Sequence, residues 1–133
     1  MPEGVGYGPQ FTASTGLELN YIGKHCYATS GSIDVGQSET IFLNFRCGED
    51  NYIDGQVQVN YAADQSENAL YKIYFNGVVI QSWVVPGGTQ SPAPEQPCFI
   101  LIPPGTQVKV TGILLSGGST RTHFATLTGR VHN

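Results

Sequence analysis

The sequence predicts an all-β domain, an antiparallel β-sandwich of eight to nine strands with jelly-roll topology as the best-fitting arrangement. Three observations carry that reading. Of the 133 residues, 17 are glycine and 8 proline, while only 12% are charged, about half the usual share. Apolar residues recur at every second position in a series of short runs. No stretch offers an apolar stripe at helical spacing, because glycine, proline and β-branched residues intervene too often. A chain this long fits one domain and buries roughly two-thirds of its unfolded surface, enough for a core without metal or disulfide staples.

Residues 1–16, MPEGVGYGPQFTASTG, show little alternation and read as an extended arm, leaving 17–133 as the sandwich. LELNYI (17–22) is a weak first strand, and HCYATSGSIDV (25–35) a long one interrupted at Gly31 in the manner of a bulge. ETIFLNFR (39–46) sets Ile41, Leu43 and Phe45 on one face and Phe42, Asn44 and Arg46 on the other. In GQVQVNYA (55–62), Val57, Val59 and Tyr61 alternate with Gln56, Gln58 and Asn60. Runs at 70–75 and 78–85 flank Asn76-Gly77, and the proline-rich SPAPEQP (91–97) follows as a loop. CFILI (98–102) ends at IPPG, where two fixed φ angles and two missing donors force a turn. QVKVTGILL (107–115), with Ile113 and Leu115 extending the Thr111 face, and THFATLTGRV (122–131) complete the set. Even spacing of so many runs favours two stacked antiparallel sheets. An immunoglobulin-like sandwich is the alternative, but Trp83 stands too close to Cys98 for the Cys47, Trp83, Cys98 order to fit it.

LYKIYFNGVVIQSWVV (70–85) is the most specific local signal. Asn-Gly between two apolar runs predicts a two-residue type I′ hairpin, which needs positive φ at both positions. Regular pairing then sets Phe75, Val78, Ile73, Ile80, Tyr71 and Ser82 on the core face. Tyr74, Val79, Lys72, Gln81, Leu70 and Trp83 fall on the other. Two large aromatics and two aliphatics facing outward are more than a monomer normally shows to water. Leu70, Tyr74, Val79 and Trp83 are therefore the candidate contact face, since Trp and Tyr are typical interface anchors.

Several function classes are disfavoured. Six basic residues are scattered and the net charge is −4, so no patch exists to neutralise phosphates, and nucleic acid is not an expected partner. No apolar run is long enough to span a membrane, and the first residues lack the regions of a secretory signal. Three cysteines, Cys26, Cys47 and Cys98, cannot all pair within the chain, which favours reduced thiols made in a cytoplasm. His25, His123 and His132 follow no metal-ligand spacing; His123 alternates onto the inward face, and His25 and Cys26 point to opposite faces. GEDNYIDG (48–55) offers Glu49, Asp50, Asn51 and Asp54, but Tyr52 and Tyr61 stand where an EF-hand needs oxygen ligands, so it reads as a solvated turn. The glycine pairs at 87–88 and 117–118 precede no helix and are loop glycines. No catalytic residues, metal or cofactor are expected.

YIGKHCYATSG, YKIYFNGVVIQSW, LIPPGTQVKVTG and the ending ATLTGRVHN, in this order, resemble small virion proteins of tailed bacteriophages over most of residues 21–132. The resemblance implies a jelly-roll sandwich on the outside of a capsid, a decoration or cement subunit that is often trimeric and binds the major capsid protein. The expected location is then the virion surface after synthesis in the host cytoplasm. The rival expectation is a carbohydrate- or receptor-binding sandwich of a fibre or tail, with Trp83 or the tyrosines stacking on sugar rings and calcium at Asp50 and Asp54. A small cupin-like enzyme is disfavoured by the histidine spacing.

Overall fold

A chain of period-two apolar runs must pair its strands and bury one face of each sheet, and the computed structural model does this with two antiparallel sheets packed as a β-sandwich. It describes residues 18–61, 68–85, 97–115 and 120–133. The expected arm at 1–16, most of the proline-rich loop and both glycine pairs lie outside the described residues.

Ten strands are present among those residues: β1 (Asn20–Ile22), β2 (His25–Thr29), β3 (Ile33–Val35), β4 (Thr40–Arg46), β5 (Tyr52–Tyr61), β6 (Ala69–Phe75), β7 (Val78–Val85), β8 (Cys98–Ile102), β9 (Gln107–Leu114) and β10 (Arg121–His132). One sheet runs β1-β2-β10-β5-β8, with β3 also paired to β10, and the other runs β4-β9-β6-β7. The pairings are nested about the Asn76-Gly77 turn: β6 with β7, β5 with β8, β4 with β9, and β2 with β10. The turn has positive φ at both residues, 51° and 83°, as a type I′ hairpin requires. The run at 25–35 is broken at Gly31, whose φ is 69°, so β2 and β3 are two pieces paired to the same strand.

The core is a single apolar cluster drawn from both sheets, including Phe42, Leu43 and Phe45 of β4, Tyr71 and Ile73 of β6, Val57 of β5 and Leu127 of β10. At its centre the Tyr71 hydroxyl meets His123 Nδ1 at 3.0 Å, both side chains fully buried, and the ring of Phe42 lies 6.2 Å from each of theirs. His123 is thus a hydrogen-bonded core residue, as its alternation suggested, and its polar edge is satisfied where an unpaired one would be costly.

Two bulges revise the predicted faces. In β4, Ile41 pairs with Thr111 and Leu43 with Val110, so Phe42 is an extra residue without a partner opposite it. Phe42 is consequently buried and not outward, while Ile41, expected in the core, is 46% exposed. In β7, Phe75 pairs with Val78 and Tyr74 with Val79 as predicted, but Ile73 pairs with Gln81, leaving Ile80 as the extra residue. One added residue reverses the faces of everything beyond it. Trp83 therefore sits opposite Tyr71, not Leu70, and packs against the core with its ring centroid 5.6 Å from that of Tyr71. Ile80 and Ser82, expected inside, are exposed; so is Val78, which shares the Phe75 side but lies at the hairpin tip. The acidic segment also differs from expectation, since Tyr52–Gly55 begins β5 and only Glu49 and Asp50 form the turn.

All three cysteines are free thiols, with Cys26 and Cys47 buried and Cys98 partly exposed. Burial, helped by the neighbouring Cys47, pushes the Cys26 thiol up to about 11, and burial raises Cys47 as well. Both remain protonated and inaccessible near neutral pH. A thiol-counting reagent at pH 8 should accordingly modify Cys98 first and reach Cys26 and Cys47 only on unfolding; fast reaction of all three would contradict this burial.

Candidate functional site

The outer face of the β4-β9-β6-β7 sheet carries the candidate contact residues, and register places them in rows. Val84 of β7, Leu70 of β6 and Ile113 of β9 stand side by side at one end, with Val84 50% exposed. The next row is Ser82, Lys72, Thr111 and Ile41, and the third is Val79, Tyr74, Lys109 and Asn44. Alternation on β6 and β9 gives this face its mixed apolar and polar character, because both strands pack their other side chains inward.

Polar side chains hold the middle of this face together. Glu39, just before β4, accepts hydrogen bonds through Oε2 from the Tyr74 hydroxyl at 2.5 Å and the Thr111 hydroxyl at 2.6 Å. Lys109 Nζ lies 4.3 Å from the centre of the Tyr74 ring, a cation–π contact, and Gln107 Nε2 donates to Asn44 Oδ1. The hydrogen bond from Thr111, then that from Tyr74, and more weakly the charges of Lys72 and Lys109 hold the Glu39 carboxyl below its ordinary value against a small opposing effect of burial. Accepting Tyr74's proton in that bond raises the Tyr74 phenol above its usual range.

A depressed carboxyl stabilises the fold above its unfolded value and loses that contribution as the pH falls through its folded one. The thermal midpoint should therefore drop on acidification below about pH 4.5, and Glu39→Gln should remove part of that drop. The site is exposed, so the effect should be about 1 kcal/mol or less. An unchanged acid profile in the variant would show that the network adds nothing.

Of the four predicted contact residues, Leu70, Tyr74 and Val79 lie on this face and Trp83 does not, its place in the row being taken by Val84. Ile113 and Ile41 complete the apolar part, Ile113 as its alternation indicated and Ile41 against it. The loss of Trp83 also removes it as an outward stacking platform. Asp54 stands on the outer face of β5 in the other sheet, apart from the turn that holds Asp50. Among the described residues no three His, Cys, Asp or Glu side chains gather as a metal ion would need. His132 is partly exposed and stacks on Tyr52 with ring centroids 4.9 Å apart.

What this surface offers chemically is flat apolar area beside a fixed polar network, which suits contact with another macromolecule. No protein-family model matches the chain, and no curated protein matches it.

Proposed function

We propose that this chain is a non-enzymatic structural subunit of a virion, a capsid decoration or cement protein that oligomerises, with a trimer favoured, and binds the major capsid protein. The single observation that carries the contact role is the outward apolar row Val84, Leu70 and Ile113, laid beside a Tyr74 held by Glu39 and Lys109. Side chains already fixed in the free protein lose little entropy on association. The virion assignment rests on the resemblance of the four sequence motifs to small phage virion proteins.

The nested pairing supports a jelly-roll reading of the sandwich. With β2 and β3 taken as one interrupted strand, a long hairpin folded about Asn76-Gly77 yields the sheets β2-β10-β5-β8 and β4-β9-β6-β7. That order is the one two Greek keys wound together would give.

Size matters to how the subunit would assemble. Four strands of about seven residues present a face of about 450 Å² at ordinary strand spacing, against about 800 Å² per partner in a standard interface. One sheet face therefore gives a weak pairwise contact. In this reading symmetric repetition on a shell supplies avidity. Co-sedimentation with phage shells lacking the subunit tests the proposal: saturable binding at a fixed ratio to the major capsid protein is expected. Protein that stays in the supernatant at every concentration would overturn it.

A further inference from the structure

The opposite sheet carries a second surface that the assembly reading does not use. On its outer face, Tyr27 of β2, Thr128 of β10, Gln56 of β5 and Phe99 of β8 stand in one register row across four neighbouring strands. Phe99 is 75% exposed, and Tyr27 is also exposed, so neither ring serves the core. Three strand spacings separate the two aromatics by about 14 Å. Between them lies a trough of about 350 Å³ lined by His25, Tyr27, Asp54, Gln56, Phe99 and Thr128. Gly55 and Gly129, which pair with each other across β5 and β10, contribute backbone to its lining. Gln56 Nε2 donates to Thr128 Oγ1 at 3.3 Å, a bond that uses one amide donor and one hydroxyl lone pair of two lining residues. In the adjoining row Arg130 is the register partner of Asp54. On the far side of Tyr27 a further hollow of about 210 Å³, lined by Asn20, Thr29 and Thr126 among others, continues the groove.

We propose that this groove binds a neutral saccharide chain. A sugar ring combines an apolar C–H face with a rim of hydroxyls. The groove offers the complement: aromatic rings at both ends of a row, and amide, hydroxyl, carboxylate and imidazole groups between them. The lining holds a carboxylate and no lysine or arginine, which favours a hydroxyl-rich ligand over a phosphate or an acidic peptide. The rings of Tyr27 and Phe99 stack on sugar faces, while Gln56, Thr128 and Asp54 take hydroxyl hydrogen bonds. The continuation past Tyr27 favours an oligosaccharide over a single sugar. This site lies on the sheet opposite the proposed contact face, so it stands or falls independently of assembly.

The test is calorimetric and NMR titration of the full chain with maltohexaose, cellohexaose and chitohexaose. At least one should bind, weakly as a shallow groove implies, with a dissociation constant between about 10 μM and 1 mM. Its NMR shifts should fall on Tyr27, Gln56, Phe99 and Thr128. Phe99→Ala should weaken it by about tenfold or more, Phe99→Tyr should restore it, and Leu70→Asp with Val84→Asp should leave it unchanged. Both rings are solvent-facing, so the substitutions leave the core alone. No binding by any of the three hexasaccharides at about 10 mM overturns the proposal. So does binding that survives loss of both rings, or a fall in molar mass with Phe99→Ala in place of lost sugar binding, which would assign the groove to a second copy of the chain.

Discussion

Phe42→Ala should destabilise the protein by about 3–5 kcal/mol, and Ile41→Ala should cost less than about 1 kcal/mol. Strict alternation predicts the reverse order, so this pair tests the β4 bulge directly. Phe42 is 1% exposed and packs against Tyr71 and His123, whereas Ile41 stands on the outer face. Gly112 shows how tightly that cluster is filled. It lies on β9 opposite Tyr71, and a Cβ there would sit 2.7 Å from Cε2 and Cζ of Phe42 and 3.0 Å from Cδ1 of Tyr71. Neither ring can swing aside, because both are buried and Tyr71 is hydrogen-bonded to His123. Gly112→Ala should cost about 1–3 kcal/mol, with valine worse. Combining Gly112→Ala with Phe42→Leu should recover part of the loss, since the second change removes the atoms the first one meets. Urea melts of the five single variants and the double give these differences, and a Phe42→Ala cost no larger than that of Ile41→Ala would rule out the bulge.

Leu70→Asp together with Val84→Asp should abolish self-association while leaving the fold intact. Both side chains lie on the outer face of paired neighbouring strands, where two carboxylates would stay solvated in the monomer. At a contact between copies the same charges would lose water without partners, a cost of several kcal/mol against an interface of modest area. Trp83→Asp should behave differently. Trp83 packs against Tyr71 on the inner side, so the substitution should lower the melting temperature before it changes assembly. The contrast separates the register observed from the one that regular pairing predicts, because the latter places Trp83 in the contact row.

The legible parts of the fold are those with strong local chemistry. Asn76-Gly77 announces its turn because few other residues adopt positive φ twice in succession. Alternation in 55–61 and 122–131 likewise gives the inward residues Val57, Val59, Ala125 and Leu127, and with them buried His123. The two bulges were not legible by counting, since a bulge is an insertion into a ladder whose partner strand is not adjacent in sequence. Yet a trace existed in β7. Regular pairing sets Ser82 in the core and Trp83 in water, and slipping one residue exchanges them, which hydrophobic burial favours. In β4 the succession Ile41-Phe42-Leu43 offers two faces of nearly equal apolarity, and only the Thr111–Val110 register on β9 decides between them. The groove of Tyr27 and Phe99 depends on four strands distant in sequence standing in one row, which no local pattern reveals.

Molar mass by light scattering, at about 10 μM and over a dilution series, decides whether the subunit self-associates through this face. The expected mass is a multiple of the 14.3 kDa subunit, with three copies favoured, falling to one copy in the Leu70→Asp, Val84→Asp variant. A wild-type mass of 14.3 kDa throughout the series would contradict it.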